Sequence, residues 1–317
     1  MNMNQTSKKL ELSLQPGTSI IGKWHKNNYR ITRRLGYGAI GAVYLCNFNG
    51  KQAALKISTS GSSITMEVNV LKTLQKVQGN GSLGPSLLDV DDWQHPGGTR
   101  CSFYVMEYVN GKDLGGFIQS HGDEWLGILM MQLLGDLQKL HQAGWVFGDL
   151  KTENLLVASS PPRIRWIDVG GTTQIGRSIK EYTEFYDRGY WKMGTRKAEP
   201  SYDLFALAMV MLQIYYPARF DKGNHPEKML MTKLSATPQL KKYYTPIKKA
   251  LYGTYTSSEQ MRRDIASLIM QHSPKAQKPT RIGQRKAAAV KPQHSFMESI
   301  VILVTAVVFY LFHMVFI

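Results

Sequence analysis

Cysteine is nearly absent: Cys46 and Cys101 are the only two in 317 residues. A disulfide scaffold is therefore excluded as the organising principle, and a reducing cytosol suits such usage. Residues 1–20 are polar and lack the apolar run of a signal peptide. No internal repeats are present. Acid is scarce as well, with 23 Asp and Glu against 39 Lys and Arg, a formal net charge of +16. That surplus favours anionic partners such as nucleotide, nucleic acid or lipid headgroup. It does not choose between them, and a solvated lysine-rich surface reads alike. With 43% apolar and 10% aromatic residues, general disorder is excluded and a sizeable core is expected.

Composition divides the chain. Residues 1–23 read as an N-terminal extension and 24–272 as a domain with mixed apolar patterning and glycine-rich turns. Residues 273–299 read as a flexible basic linker: the stretch 273–296 has six Lys or Arg, three prolines and no acid. Residues 300–317 form an apolar run with no formal charge apart from titratable His313. As a helix the run spans about 27 Å, close to the hydrocarbon thickness of a bilayer. It is expected to be a single transmembrane helix. The basic linker beside it places the domain on the cytoplasmic side of the cell membrane by the positive-inside rule.

Within the domain, alternation over Tyr29–Leu35 predicts a strand, followed by glycines and short apolar runs at Ala42–Leu45 and Gln52–Ile57. Residues 63–77 switch to helical spacing, with Ile64, Val68, Leu71 and Leu74 on one stripe. Ser102–Val109 returns to strand character, and helical runs dominate afterwards, most clearly at 125–140 and 203–216. The order predicts an α+β fold of two lobes, a small β-rich one with one helix and a larger helical one.

Four blocks carry chemistry. Gly36, Gly38 and Gly41 fall at G-x-G-x-x-G spacing, so backbone N–H groups can approach a polyphosphate. No helix opens at the third glycine, which disfavours a dinucleotide fold, although a plain glycine-rich hairpin fits too. Lys56 is embedded in an apolar strand, where an ammonium is costly unless it meets an anion. Glu67 shares the apolar stripe of the following helix and would supply one; a lysine on the wet face of an edge strand is the plainer reading. Asp149, Lys151 and Asn154 lie within six residues. They supply a proton acceptor, a cation for developing charge and a metal-holding oxygen, as phosphoryl transfer needs. Asp168 ends a short apolar run before Gly170, where a carboxylate can chelate Mg²⁺ or serve as a turn residue.

In this order the four blocks resemble the motif set of Hanks-type, eukaryotic-like serine/threonine protein kinases, over roughly residues 24–272. The resemblance implies a bilobal kinase fold with ATP between the lobes and Mg²⁺, or Mn²⁺, as metal. Gly36, Gly38 and Gly41 would cover the phosphates, and Lys56, paired with Glu67, would contact them. Met106–Val109 looks like the hinge, with backbone groups of Glu107 and Val109 bonding adenine. Leu35, Val43, Ala54 and Leu156 would sandwich the ring, and Asp113 matches a ribose-contacting position. Asp149 would accept the substrate hydroxyl proton, Lys151 would neutralise the γ-phosphate, and Asn154 and Asp168 would hold the metal. Thr195 resembles the threonine that braces the catalytic loop, and Asp203 the buried aspartate that opens the long helix of the larger lobe.

This sequence departs from the family at several points. Phe147-Gly148 replaces His-Arg before the catalytic aspartate, which removes the arginine that clamps a phosphorylated activation segment. Activation is therefore expected not to use the usual phosphate-to-arginine ordering. Val169 replaces the Phe of Asp-Phe-Gly, and Ala198-Glu199-Pro200 looks like a rearranged end of the activation segment. Thr152 stands where proline is commoner. Gly148-Asp149 also fits small-molecule kinases of the aminoglycoside type, but Lys151 and Gly194-Thr195 favour protein substrates. Retention of Lys56, Asp149, Asn154 and Asp168 favours an active enzyme over a pseudokinase acting as a DNA- or membrane-binding module.

The basic surplus is only partly in the linker: Ser273–Ser299 contributes +5, so +11 lies elsewhere. Arg30, Arg33 and Arg34, Arg262 and Arg263, and Lys241, Lys242, Lys248 and Lys249 among Tyr243, Tyr244 and Tyr252 form clusters. A regulatory anionic ligand is expected, non-sequence-specific DNA first and anionic lipid second. A homodimer would permit trans-autophosphorylation, although the apolar run lacks a G-x-x-x-G pattern. Thr172, Thr173, Ser178 and Thr183 are candidate acceptors by position.

Overall fold

The computed structural model describes residues 13–38, 41–78, 84–158 and 161–272. The chain divides into one unit over Met1–His272 and another over Ser273–Ile317. The expected linker and membrane helix fall in the second and lie outside the described residues. Among the described residues no helix is long and apolar enough to cross a membrane.

The smaller lobe is an antiparallel sheet of β1 (Ser19–Ile21), β2 (Asn28–Tyr37), β3 (Ala42–Phe48), β4 (Lys51–Ser58), β5 (Leu87–Gln94) and β6 (Arg100–Glu107), with α1 (Gly61–Gln78) between β4 and β5. The spatial order is β1-β2-β3-β4-β6-β5. Inward residues of alternating strands, including Tyr29, Ile31, Tyr44, Leu55 and Phe103, form one core cluster. The predicted stripe of α1, Ile64, Val68, Leu71 and Leu74, is buried in the other main cluster and covers the opposite side of the sheet.

The boundary expected at residue 24 is corrected. Leu14 and Ile20 are buried in the first cluster, and β1 adds an edge strand to the sheet. The turn after β1 then reaches the far edge. Lys23 N–H donates to Asp92 O at 2.8 Å. Trp24 N–H and His25 N–H donate to the Asp91 carboxylate at 2.9 and 2.8 Å, and Trp24 Nε1 donates to Asp92 Oδ2 at 3.1 Å. The sheet thus curls until its first turn meets β5, whose edge would otherwise be open to foreign strands. Nothing local in residues 14–25 announces this, because the acceptors lie more than sixty residues away.

The larger lobe contains β7 (Lys112–Asp113), α2 (Leu114–His121), α3 (Glu124–Gln142), β8 (Trp145–Val146), β9 (Leu155–Ala158), β10 (Arg163–Trp166), β11 (Thr173–Gln174), α4 (Pro200–Tyr215), α5 (Pro226–Ser235), α6 (Tyr244–Leu251) and α7 (Ser258–His272). The 125–140 and 203–216 periodicities became α3 and α4. Every residue of α4 from Tyr202 to Gln213 is buried, as expected of a helix that is apolar on all sides and central to a bundle. Pro200 opens it, where a missing N–H costs nothing.

Asp91 is buried and accepts several N–H bonds, each to a charged acceptor worth about 1.5–3 kcal/mol. Asp91→Ala is expected to lower unfolding stability by about 3 kcal/mol in urea titration. Removal of residues 1–23 should be at least as damaging.

Candidate active site

A cleft of roughly 950 Å³ lies between the lobes. Leu35, Gly36, Gly38, Gly41, Val43, Ala54, Lys56, Glu107, Val109, Asp149, Lys151, Asn154, Leu156 and Asp168 all line it. The expected site residues therefore converge, with two exceptions. Glu67 stands one layer back, behind Lys56. Asp113 is not among the lining residues: its carboxylate accepts Gly116 N–H at 2.7 Å and caps α2. Capping satisfies the helix terminus.

Lys56 lies in β4 with its ammonium buried between two carboxylates, Glu67 at 2.7 Å and Asp168 at 3.1 Å. Burial pulls its pKa down, but Asp168 and Glu67 outweigh this, and the net shift is upward. Burial pushes the Glu67 carboxyl up against the pull of Lys56. Lys56 at 2.7 Å and Tyr104 O–H donating at 2.6 Å act against that rise. Burial also works against ionised Asp168, yet Lys56 and the Gly170 N–H at 3.0 Å hold its carboxyl below the usual range.

Of the three glycines only Gly41 is sterically required: a Cβ there would stand 2.2 Å from Ile57 O, whereas Gly36 and Gly38 face open space. The hinge is tied on both sides through the Glu107 side chain. Arg165 of β10 donates to its carboxylate at 2.9 and 3.2 Å, and Ser86 N–H donates to it at 3.2 Å.

The catalytic loop hangs from α4. Asp203 is fully buried and accepts Phe147 N–H at 2.7 Å, Gly148 N–H at 2.9 Å and His141 Nε2 at 2.8 Å. Phe147 packs on Trp166 with ring centroids 4.4 Å apart, so it fills an apolar slot as expected. Gly148 has φ +79°, and a Cβ on it would lie 2.3 Å from Gly171 O. Only glycine fits there, which accounts for the missing arginine. Val169 is buried in the core, a smaller piece than Phe in the same service.

Thr195 is corrected as the bracing threonine. It is exposed, and among the described residues its hydroxyl accepts only Lys197 N–H, at 3.4 Å. Thr183 takes the position: its hydroxyl donates to Asp149 Oδ1 at 3.0 Å and accepts from Lys151 Nζ at 3.2 Å. Lys151 Nζ also donates to Asp149 Oδ2 at 2.5 Å, so the three side chains form a closed triangle. Ala198-Glu199-Pro200 runs into α4, which begins at Pro200. Ala198 packs with Val146, Ile179 and Tyr202, and Glu199 pairs with Arg188 at 2.8 Å at the entry to α4. The segment facing Asp149 is 180–184. Within it burial and the charges of Glu67, Asp168 and Asp149, against the pull of Lys56, push the Glu181 carboxyl up. Spacing alone did not single out Thr183, because the contacts that define it cross more than thirty residues.

Asn154 donates Nδ2 to Asp149 O at 2.9 Å, and Asn154 and Asp168 both line the cleft. One carboxylate and one amide oxygen suit a hard divalent cation that takes its remaining ligands from phosphate and water.

Comparison with known proteins agrees with this geometry. The family model for the protein kinase domain matches residues 29–289. The chain is 50% identical over 264 residues to the serine/threonine-protein kinase YabT of Bacillus subtilis, covering 83% of this chain and 78% of that protein. Among solved structures, vaccinia related kinase 3 superposes with a TM-score of 0.60 at 16% identity, covering 82% of this chain and 92% of that one. The kinase domain of Mycobacterium tuberculosis PknI gives 0.55 at 18% identity, with 81% and 99% covered. At these identities the two structures speak for the fold.

Thr183→Val should open the Asp149–Lys151–Thr183 triangle and lower kcat by about 10–100-fold through misplacement of the reacting groups. Thr195→Val should leave kcat within about twofold, as surface substitutions usually do. Steady-state kinetics on both variants tests the reassignment.

Proposed function

The chain belongs to the protein kinase family and is a serine/threonine protein kinase, and from that premise we propose how its residues divide the work and where it acts. Its substrates are proteins, its phosphoryl donor is ATP, and it uses a divalent metal. The metal is Mg²⁺ in this reading, held by Asn154 and Asp168; when bound it neutralises charge between the phosphates.

The closed triangle at Asp149 carries the mechanistic reading. Asp149 is positioned by Thr183 and Lys151 to orient the acceptor hydroxyl and take its proton. Lys151 is positioned to meet the charge that develops on the transferred group. Lys56, held by Glu67, bonds the α- and β-phosphates beneath the glycine loop. The backbone of Glu107 and Val109 bonds adenine, and Leu35, Val43, Ala54 and Leu156 enclose it. Full-length protein given Mg-ATP should phosphorylate itself and added protein. Asp149→Ala and Lys56→Ala should each lose at least about 100-fold in rate. Equal rates in all three proteins would overturn these roles.

The apolar run 300–317 and the basic stretch before it support anchoring in the cell membrane with the kinase domain in the cytoplasm. Pairing through that anchor would give a homodimer suited to trans-autophosphorylation. The basic surface supports a regulatory anionic ligand, with DNA bound through its phosphates as the leading candidate. Arg262 and Arg263 are committed to Glu259, and Lys249 to Asp264. Tyr243 is fully buried and cannot stack on a base. Lys241, Lys242 and Lys248 have no acidic partner among the described residues and form the core of the surface. If these three neutralise three phosphates, log affinity for duplex DNA should fall with log salt at a slope of about −2.7. Replacing all three with Glu should abolish that dependence. Retention of the slope would rule this surface out, and binding to anionic vesicles in place of DNA would favour lipid.

A further inference from the structure

One guanidinium beside the catalytic loop has no part in the roles given above. Arg219 lies in the loop after α4 with φ +60°, and its N–H donates to Tyr216 O at 2.8 Å. A residue other than glycine in the left-handed region is uncommon and strained, and such strain persists only where the surroundings enforce it. Here the turn sends the side chain back to the catalytic loop, where the guanidinium pairs with Glu153. It also lies over the rings of Phe185 and Tyr186, 5.6 and 5.3 Å from their centroids. Phe220, the next residue, packs edge-on against Phe185 at 5.2 Å.

Glu153 is the carboxylate that Arg219 covers. The short turn Thr152–Asn154 buries Asn154 and leaves Glu153 exposed, and Glu153 lines the cleft together with Asp149. Arg219 takes Glu153 Oε1. Oε2 accepts Thr152 O–H at 3.1 Å and Tyr186 O–H at 3.3 Å. Both oxygens are thus engaged from within the chain. A bare carboxylate at this place would attract a cationic side chain of an incoming protein. The pair adds little to the fold: the Arg219 and Glu153 side chains are 34% and 53% exposed, and solvent screens such pairs. The neighbouring segment already has buried ties through Asp187 and Arg188. The consequence of the pair therefore falls on what approaches Asp149.

We propose that Arg219 is a specificity-determining residue: it occupies Glu153 in cis, so that a basic side chain of the protein substrate gains nothing at the position that meets Glu153. The inference rests on the protein-substrate reading above. A basic side chain arriving there meets a guanidinium already seated on the rings of Phe185 and Tyr186, and like charges repel. Neutral and acidic side chains meet no such barrier. Selectivity at this position thus comes from a repulsive element built into the chain. Glu181 and Glu184 line the cleft as well, so basic side chains can be read elsewhere. The plug acts only where the substrate passes Glu153.

The test uses full-length protein, Mg-ATP and a peptide set with Arg or Ala placed in turn at each position flanking a single Ser. For each variant the KM of the Arg peptide is divided by that of the Ala peptide, so a loss of folded enzyme cancels. Arg219→Ala and Arg219→Gln should both gain a preference for Arg at one and the same position, where the wild type takes Arg and Ala within about twofold. The gain should be about fivefold, the upper range for one partly exposed ion pair. Adding Glu153→Gln to Arg219→Ala should remove it. Phosphorylated peptides with no new preference in either variant would overturn the proposal while leaving the kinase reading intact. A new preference that survives Glu153→Gln would overturn it too. Absence of phosphate from every peptide and every added protein with the wild type would remove the protein-substrate reading and this inference with it.

Discussion

Asp203 is a carboxylate with no access to water, at the first turn of α4. Burying an ionised group costs several kcal/mol unless donors replace the solvent. Here the donors are the N–H groups of Phe147 and Gly148 and the imidazole of His141. The catalytic loop is therefore drawn to the central helix by the need to satisfy this one charge. With both adjacent N–H groups turned to the same carboxylate, Gly148 adopts a left-handed φ of +79°. That turn places the Gly148 backbone where a Cβ would strike Gly171 O at 2.3 Å. The loop carrying Asp149 and the loop carrying Asp168 thus pack backbone against backbone. Gly148 is best understood as the condition for that contact. Any larger residue would separate Asp149 from Asp168.

The second constraint is electrostatic and lies across the cleft. Lys56 belongs to the small lobe and Asp168 to the large one, and their 3.1 Å contact joins the two. Glu67 holds the other side of the same ammonium at 2.7 Å. A buried ammonium with one carboxylate partner would be balanced in charge, and with two the local sum is negative. The Glu181 carboxyl is raised partly because the same carboxylates face it. Two carboxylates therefore face Lys56, a setting that favours a divalent cation arriving with the nucleotide. On the far side of the adenine region, Arg165 and Glu107 tie the hinge to β10, three residues before Asp168 in sequence. Asp168 and the hinge are thus positioned through one short strand.

Much of this was legible in the sequence, and the reason is spacing. Asp149, Lys151 and Asn154 sit within six residues, and the Ile64–Leu74 stripe repeats at helical period, so local periodicity was enough to place both. Lys56 and Glu67 could be paired because each alone would be an unsatisfied charge on an apolar face. What escaped notice depends on contacts distant in sequence. The 14–25 segment joins the sheet because Asp91 and Asp92 accept its N–H groups from the far edge. Thr183 displaces Thr195 because Asp149 and Lys151 lie within reach of its hydroxyl. Asp113 also caps a helix terminus three residues on. In each case a residue type fitted two roles, and tertiary packing chose between them.

The segment between Gly170 and Asp203 shows the consequence of losing the loop arginine. Its anchors are distributed instead of converging on the catalytic loop. Arg188 is buried and donates to Thr195 O, Ser201 Oγ and Glu199. Asp187, also fully buried, accepts Arg196 Nε and Tyr202 O–H. These bonds fix 185–202 to the start of α4 without any added phosphate. The part between Gly171 and Thr183 has weaker ties, the short β8–β11 pair and the Ser178–Lys197 bridge. Yet this weaker part ends in the hydroxyl that braces Asp149. Order in the reacting groups is therefore limited by the 172–182 stretch and not by the well-anchored 185–202 stretch.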